Sequence, residues 1–179
     1  MKIKFLLFMA VAATTALVSC GKKGLSEETK NKMTAYETDW KATGDAMAAW
    51  GTTMNSTFSE MAAMMTETNA LDVSKLKAGL KPSLDSLNKV CEGIMGKMDM
   101  VKSTYEAAMA NWATDEKAYT DWKAAGKNTP EEEVLAGLES YSTKLAEYKA
   151  NMETWNTMVA ELKANCTATC DAIKGMAAM

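Results

Sequence analysis

The chain has 179 residues, 20 basic and 23 acidic side chains, and a formal net charge of −3. Every basic residue is lysine and there is no histidine. This excludes imidazole acid–base chemistry, histidine metal sites and bidentate arginine clamps on phosphate. A mildly acidic chain without a basic run argues against nucleic acid as a partner, and an apolar fraction of 47% excludes wholesale disorder.

The first element is a leader. Lys2 and Lys4 precede an uncharged run from Phe5 to Val18, the pattern of a positive region followed by the apolar region of a secretory signal. Fourteen residues are too few for a membrane-spanning helix, which needs about 20. The run ends in Leu17-Val18-Ser19-Cys20-Gly21, which resembles the lipobox of bacterial lipoproteins. The resemblance covers only the first two dozen residues. It implies removal of residues 1–19, lipid attachment at Cys20 and further acylation of the new amino terminus, because stable anchoring takes more than one acyl chain. Residues 20–25 become a short tether. No aspartate follows Cys20, which by analogy with other lipoproteins points to the outer membrane, facing the periplasm. The mature chain keeps 18 lysines against 23 acids and suits one domain, residues 26–179.

Only two prolines occur, Pro82 and Pro130, and they divide the mature chain into three similar segments. Each carries apolar residues at alternating spacings of three and four, the coiled-coil pattern. The first ladder runs from Met33 through Tyr36, Trp40, Met47, Trp50, Met54, Met61 and Met64 to Leu71, with Thr43, Thr57 and Thr68 as interruptions and Phe58 and Met65 widening one side. A helix over 26–71 follows, opened by Ser26-Glu27-Glu28 with acid at its positive end. Residues 69–81 read as a turn with a short helical piece.

The second ladder runs from Leu80, Leu84 and Leu87 through Cys91, Ile94, Met98, Val101, Tyr105, Ala108 and Trp112 to Tyr119 and Trp122, broken only by Asp115. It predicts a helix over 83–126, stopped by Gly126. Thr129-Pro130-Glu131-Glu132 reads as the next start, with a threonine cap and proline at the first helical position. The third ladder runs from Val134, Leu138, Tyr141, Leu145 and Tyr148 through Met152, Trp155, Val159, Leu162 and Cys166 to Ile173 and Met176, interrupted by Thr169. A helix over 130–177 follows. Three long helices with short connections predict an all-α, antiparallel up-down-up three-helix coiled-coil bundle. Helices splayed apart and completed by other chains are the alternative, and the oligomeric state is unassigned.

The second hairpin centres near residue 128, which sets position 165 opposite Cys91. A disulfide from Cys91 to Cys166 is therefore expected in an oxidising compartment, with Cys170 the alternative partner or a free thiol. Two other readings stay open: three buried inert thiols, and a soft-metal site in which the thiols, with Met95 and Met98, take copper. The same depth arithmetic puts tyrosine and tryptophan toward the anchor end and methionine toward the far end. Asp115 is expected to fix helix register, its carboxylate met by Tyr141 or by the Trp40 region.

No cofactor motif and no nucleophile–base pair stands on any ladder. The expectation is a non-enzymatic, lipid-anchored envelope protein, acting as scaffold, spacer or partner-binding module. It has no cofactor beyond the lipid on Cys20, and it meets the membrane through that lipid and an envelope protein as partner. The alternative is a periplasmic copper- or zinc-binding or thiol-redox protein using Cys91, Cys166 and Cys170.

Overall fold

The computed structural model describes residues 24–74, 76–126 and 129–178. The leader and Cys20 lie outside the described residues. Three α-helices account for nearly all the rest: α1 (Glu27–Asn69), α2 (Lys81–Ala125) and α3 (Glu131–Ala177), with a single 3-10 turn at Ala78–Leu80 between the first two. They pack as an all-α three-helix bundle, α1 and α3 parallel and α2 antiparallel to both. Helices of 43 to 47 residues make a rod about 65–70 Å long.

The helix ends follow local chemistry. Ser26 caps α1 by accepting the Thr29 backbone N–H at 3.2 Å, and Pro82 stands in the first turn of α2, where its missing N–H costs nothing. The start of α3 differs from the expected box. Pro130 itself is the cap, its carbonyl accepting from Glu133 and Val134, while Thr129 makes no capping bond. Glu131 takes no part in capping α3. Its carboxylate instead accepts from the Ser26 and Thr29 hydroxyls and from the Ser26 N–H at 3.2 Å, joining the starts of α1 and α3.

The core falls into two clusters along the rod. Toward the N-termini of α1 and α3 it is aromatic: Trp40 stacks on Trp112 with ring centroids 3.8 Å apart, Tyr36 meets Tyr119 at 4.8 Å, and Trp112 meets Tyr148 edge-on at 4.9 Å. Toward the far end, Met54, Phe58, Met61, Met65, Ile94, Val101, Leu162, Ile173 and the three cysteines replace the rings. Trp50 and Tyr105 touch both clusters. α1 and α3 approach each other most closely, and α1 and α2 least.

Two parts of the sequence pattern are displaced. On α1 the buried set runs through Met33, Tyr36, Trp40, Thr43 and Met47, and then through Gly51, Phe58 and Met65. Trp50, Thr57 and Met64 turn to the flank and are only half-buried. An α-helix drifts about 20° per heptad against a strict seven-residue repeat, and Gly51 is where that drift is absorbed. The second displacement concerns register. Tyr105 faces Trp155, Trp112 faces Tyr148 and Tyr119 faces Tyr141. Two further heptads from Tyr105 lead to Cys91, and two from Trp155 lead to Thr169. The residue opposite Cys91 is thus about one turn beyond the expected position 165, because the hairpin between α2 and α3 is centred nearer Pro130 than residue 128.

Candidate functional site

Asp115 is the polar residue that interrupts the α2 ladder. Its side chain retains 18% of its exposure, so it stands at the edge of the core rather than inside it. Tyr148 donates its hydroxyl to one carboxylate oxygen at 2.9 Å, and Lys144 donates its ammonium to the other. The expected type of partner is present, a tyrosine hydroxyl, but it is Tyr148 rather than Tyr141, and the Trp40 indole does not reach. The shifted register explains this, since Trp112 one turn away already faces Tyr148. The hydrogen bond to Asp115 holds the Lys144 ammonium above its ordinary pKa. Burial, followed by the bond to Asp115, raises the Tyr148 phenol. Neither group is poised for proton transfer near neutral pH. The arrangement fixes α2 against α3.

A second tie joins α2 to α1. Glu37 accepts from the Tyr119 hydroxyl at 3.0 Å and from the Lys123 ammonium. Tyr105 donates to the Met47 carbonyl at 3.2 Å, lying flat against Gly51. Sequence reasoning missed Glu37, because its flank position on α1 looks like any solvated glutamate. Its signal was its place one residue beyond Tyr36 on the core edge. Two buried polar atoms have no partner among the described residues, the Tyr36 hydroxyl and the Trp40 indole nitrogen. The aromatic stack surrounds them, and burial drives the Tyr36 phenol pKa far up.

Cys91, Cys166 and Cys170 converge in the far cluster, and all three are buried free thiols. The bridge expected between Cys91 and Cys166 is not formed. Cys166 is turned toward α1, its Sγ 3.8 Å from the Met61 carbonyl oxygen. Burial pushes the Cys166 thiol up to about 12 and also raises Cys91. These are unreactive thiols while the bundle is closed. Among the described residues, no group of three or more Cys, Asp or Glu side chains is placed to hold a metal ion. The exposed Met95, which the soft-metal reading would have recruited, faces outward.

Two of the hollows among the described residues border the polar ties. An open groove of about 680 Å³ between α1 and α3 is floored by Tyr36, Leu138 and Leu145, and the Asp39–Lys149 ion pair crosses it at 2.6 Å. A polar hollow of about 250 Å³ beside Asp115 is lined by Asn111, Glu147 and Asn151. Asp115 and Lys144 in its wall are engaged with each other, and neither hollow holds a nucleophile beside a base. Among the described residues, no helix is long and apolar enough to cross a membrane. Comparison with known family profiles, curated proteins and solved structures gives no match for this chain.

Proposed function

We propose that this protein is a lipid-anchored, non-enzymatic spacer or scaffold of the bacterial cell envelope, held through Cys20 at the outer membrane and facing the periplasm. The observation that carries this reading is the rod itself. α1 and α3 turn their apolar stripes inward over nearly their whole length, from Met33 to Thr68 on α1 and from Val134 to Ile173 on α3, and α2 does so from Cys91 to Tyr119. What remains outside is mostly lysine, glutamate, threonine and alanine, with Val90, Met95 and Met100 of α2 as the exposed large apolar side chains among the described residues. Such a body is suited to holding two points apart rather than enclosing a substrate.

The polarity of the rod supports the same reading. The described chain begins at the aromatic end, where Glu131 joins the starts of α1 and α3. A lipid on Cys20 would therefore leave the stiff aromatic half beside the membrane and the methionine-rich half at the distal tip. Methionine packs adaptably, and Met95 and Met100 are exposed on the distal half of α2, so a protein partner is best placed on that half. The test is fractionation of cells producing the wild-type chain and the Cys20→Ala variant. The wild type is expected with the membranes and the variant in the soluble fraction, with unchanged helicity. Equal distribution of the two chains would overturn the reading.

A further inference from the structure

The bundle is not fastened evenly. Polar ties join α1 to α3 along the whole rod: Glu131 to Ser26 and Thr29, Lys149 to Asp39, Trp50 to Asn156 at 2.6 Å, Lys163 to Glu60 at 3.1 Å, and Lys174 to Glu67 at 3.8 Å. Every polar tie of α2 to its neighbours comes from the half that starts at Tyr105, through Tyr105, Asp115, Tyr119 and Lys123. Among the described residues, the half from Lys81 to Thr104 makes no hydrogen bond or ion pair to α1 or α3. Its leucines Leu84 and Leu87 are only half-buried, and Gly93 and Gly96 stand within it with open space where a side chain would be. This half is held by apolar contact alone, through Cys91, Ile94, Met98 and Val101.

Cys91 is therefore the most distal fully buried residue of α2, and the register determined by the three aromatic pairs places Thr169 and Cys170 opposite it. Cys166 is one turn nearer the rod's centre and is engaged with the Met61 carbonyl of α1. Cys170 is 1% exposed and faces the same cluster as Cys91. We propose that Cys91 and Cys170 are an oxidisable dithiol, and that a disulfide between them clasps the loosely held half of α2 onto α3, leaving Cys166 as a free thiol.

The reaction needs a disulfide as oxidant, either a small molecule or an oxidising dithiol protein. The Cys170 thiolate attacks it, forms a mixed disulfide and expels one thiolate. The Cys91 thiolate then attacks the Cys170 sulfur and expels the second. The oxidant gains two electrons and ends as two thiols carrying the protons that the cysteines lost. Burial keeps both cysteines from reacting in the closed bundle, so the exchange takes place while the chain folds or while the Lys81–Thr104 half is open. The inference rests on the fold alone. The anchored reading only supplies an oxidising compartment, so a failure of either leaves the other standing.

The test is oxidative refolding of the full chain from urea in a buffer of oxidised and reduced glutathione, followed by peptide mapping without reductant. The expected result is a cross-linked peptide pair containing Cys91 and Cys170, retained in Cys166→Ala and lost in Cys170→Ala. Amide hydrogen exchange over 81–104 is expected to slow about tenfold or more in the oxidised protein relative to the reduced one. A Cys91–Cys166 peptide, or no cross-linked peptide in the wild-type map, would overturn the proposal. So would equal exchange in the two redox states. Cys166 and Cys170 share the peptide between Lys163 and Lys174, so fragmentation of the cross-linked pair, with free thiols blocked, assigns the bridge, and this wild-type assignment decides the question even if a variant fails to fold.

Discussion

The phenol of Tyr105 occupies the space that any side chain at position 51 would need. A Cβ built on Gly51 would lie 2.1 Å from the Tyr105 hydroxyl oxygen and 2.4 Å from its ring carbon Cζ. Helix propensity alone favours alanine over glycine by about 1 kcal/mol, but here overpacking dominates. Gly51→Ala is expected to destabilise the protein by about 1–3 kcal/mol in urea denaturation. Gly93→Ala, with open space around the new Cβ, is expected to stabilise it by about 0.5–1 kcal/mol. Equal effects at the two positions would contradict the packing described.

Asp115 holds two partners of unequal weight. Removing the carboxylate strands the Tyr148 hydroxyl in a buried setting, whereas removing Lys144 breaks a contact whose lysine side is 41% exposed. Asp115→Ala is expected to cost about 1–3 kcal/mol and Lys144→Ala less than about 1 kcal/mol. Chemical denaturation of the two variants beside Tyr148→Phe checks the order.

The Tyr36 hydroxyl is buried without a hydrogen-bond partner among the described residues. A buried donor left unmade costs about 1–3 kcal/mol, so Tyr36→Phe is expected to raise the melting temperature while the aromatic stack is kept. A fall in melting temperature would mean that the hydroxyl is satisfied by some group in solution.

Alkaline pH acts on the same interior. Cys166 is raised from an ordinary 9.0 to about 12, and burial also raises Tyr36, Tyr119 and Tyr148 above their ordinary 10.0. Groups raised on folding add stability that is complete below the unfolded value and is lost as pH climbs toward the folded one. Stability is expected to be flat from neutral pH to about 9 and to fall from there toward pH 12. Cys166→Ala is expected to make the fall above pH 9 shallower, leaving the raised Cys91 thiol and, from about 10, the tyrosines to carry it. Urea midpoints measured across this range test the shape.

Much of this was legible in the chain. The 3-4 ladders identified three helices because each element has one apolar stripe and only two prolines interrupt them, and the aromatic and methionine ends followed from hairpin depth. What escaped was positional detail of one residue or one turn. Gly51 carries no side chain, so no apolar pattern reveals it as core, and Trp50 beside it draws the ladder to the wrong neighbour. The hairpin register depended on where α3 starts. Pro130 fits both the first helical position and the cap, and that ambiguity moved Cys91 from the level of Cys166 to that of Cys170. The partners of Asp115 shifted for the same reason. Glu131 and Glu37 escaped because their partners are far away in sequence, and a surface glutamate carries no local mark of a cross-helix role.

The most direct test of the anchored-rod account is the intact mass of the N-terminal peptide from protein extracted from bacterial membranes with detergent. The account predicts a peptide that begins at Cys20 and carries a diacylglyceryl group with a further acyl chain. A peptide that retains Met1, or one that begins at Cys20 without lipid, would contradict it.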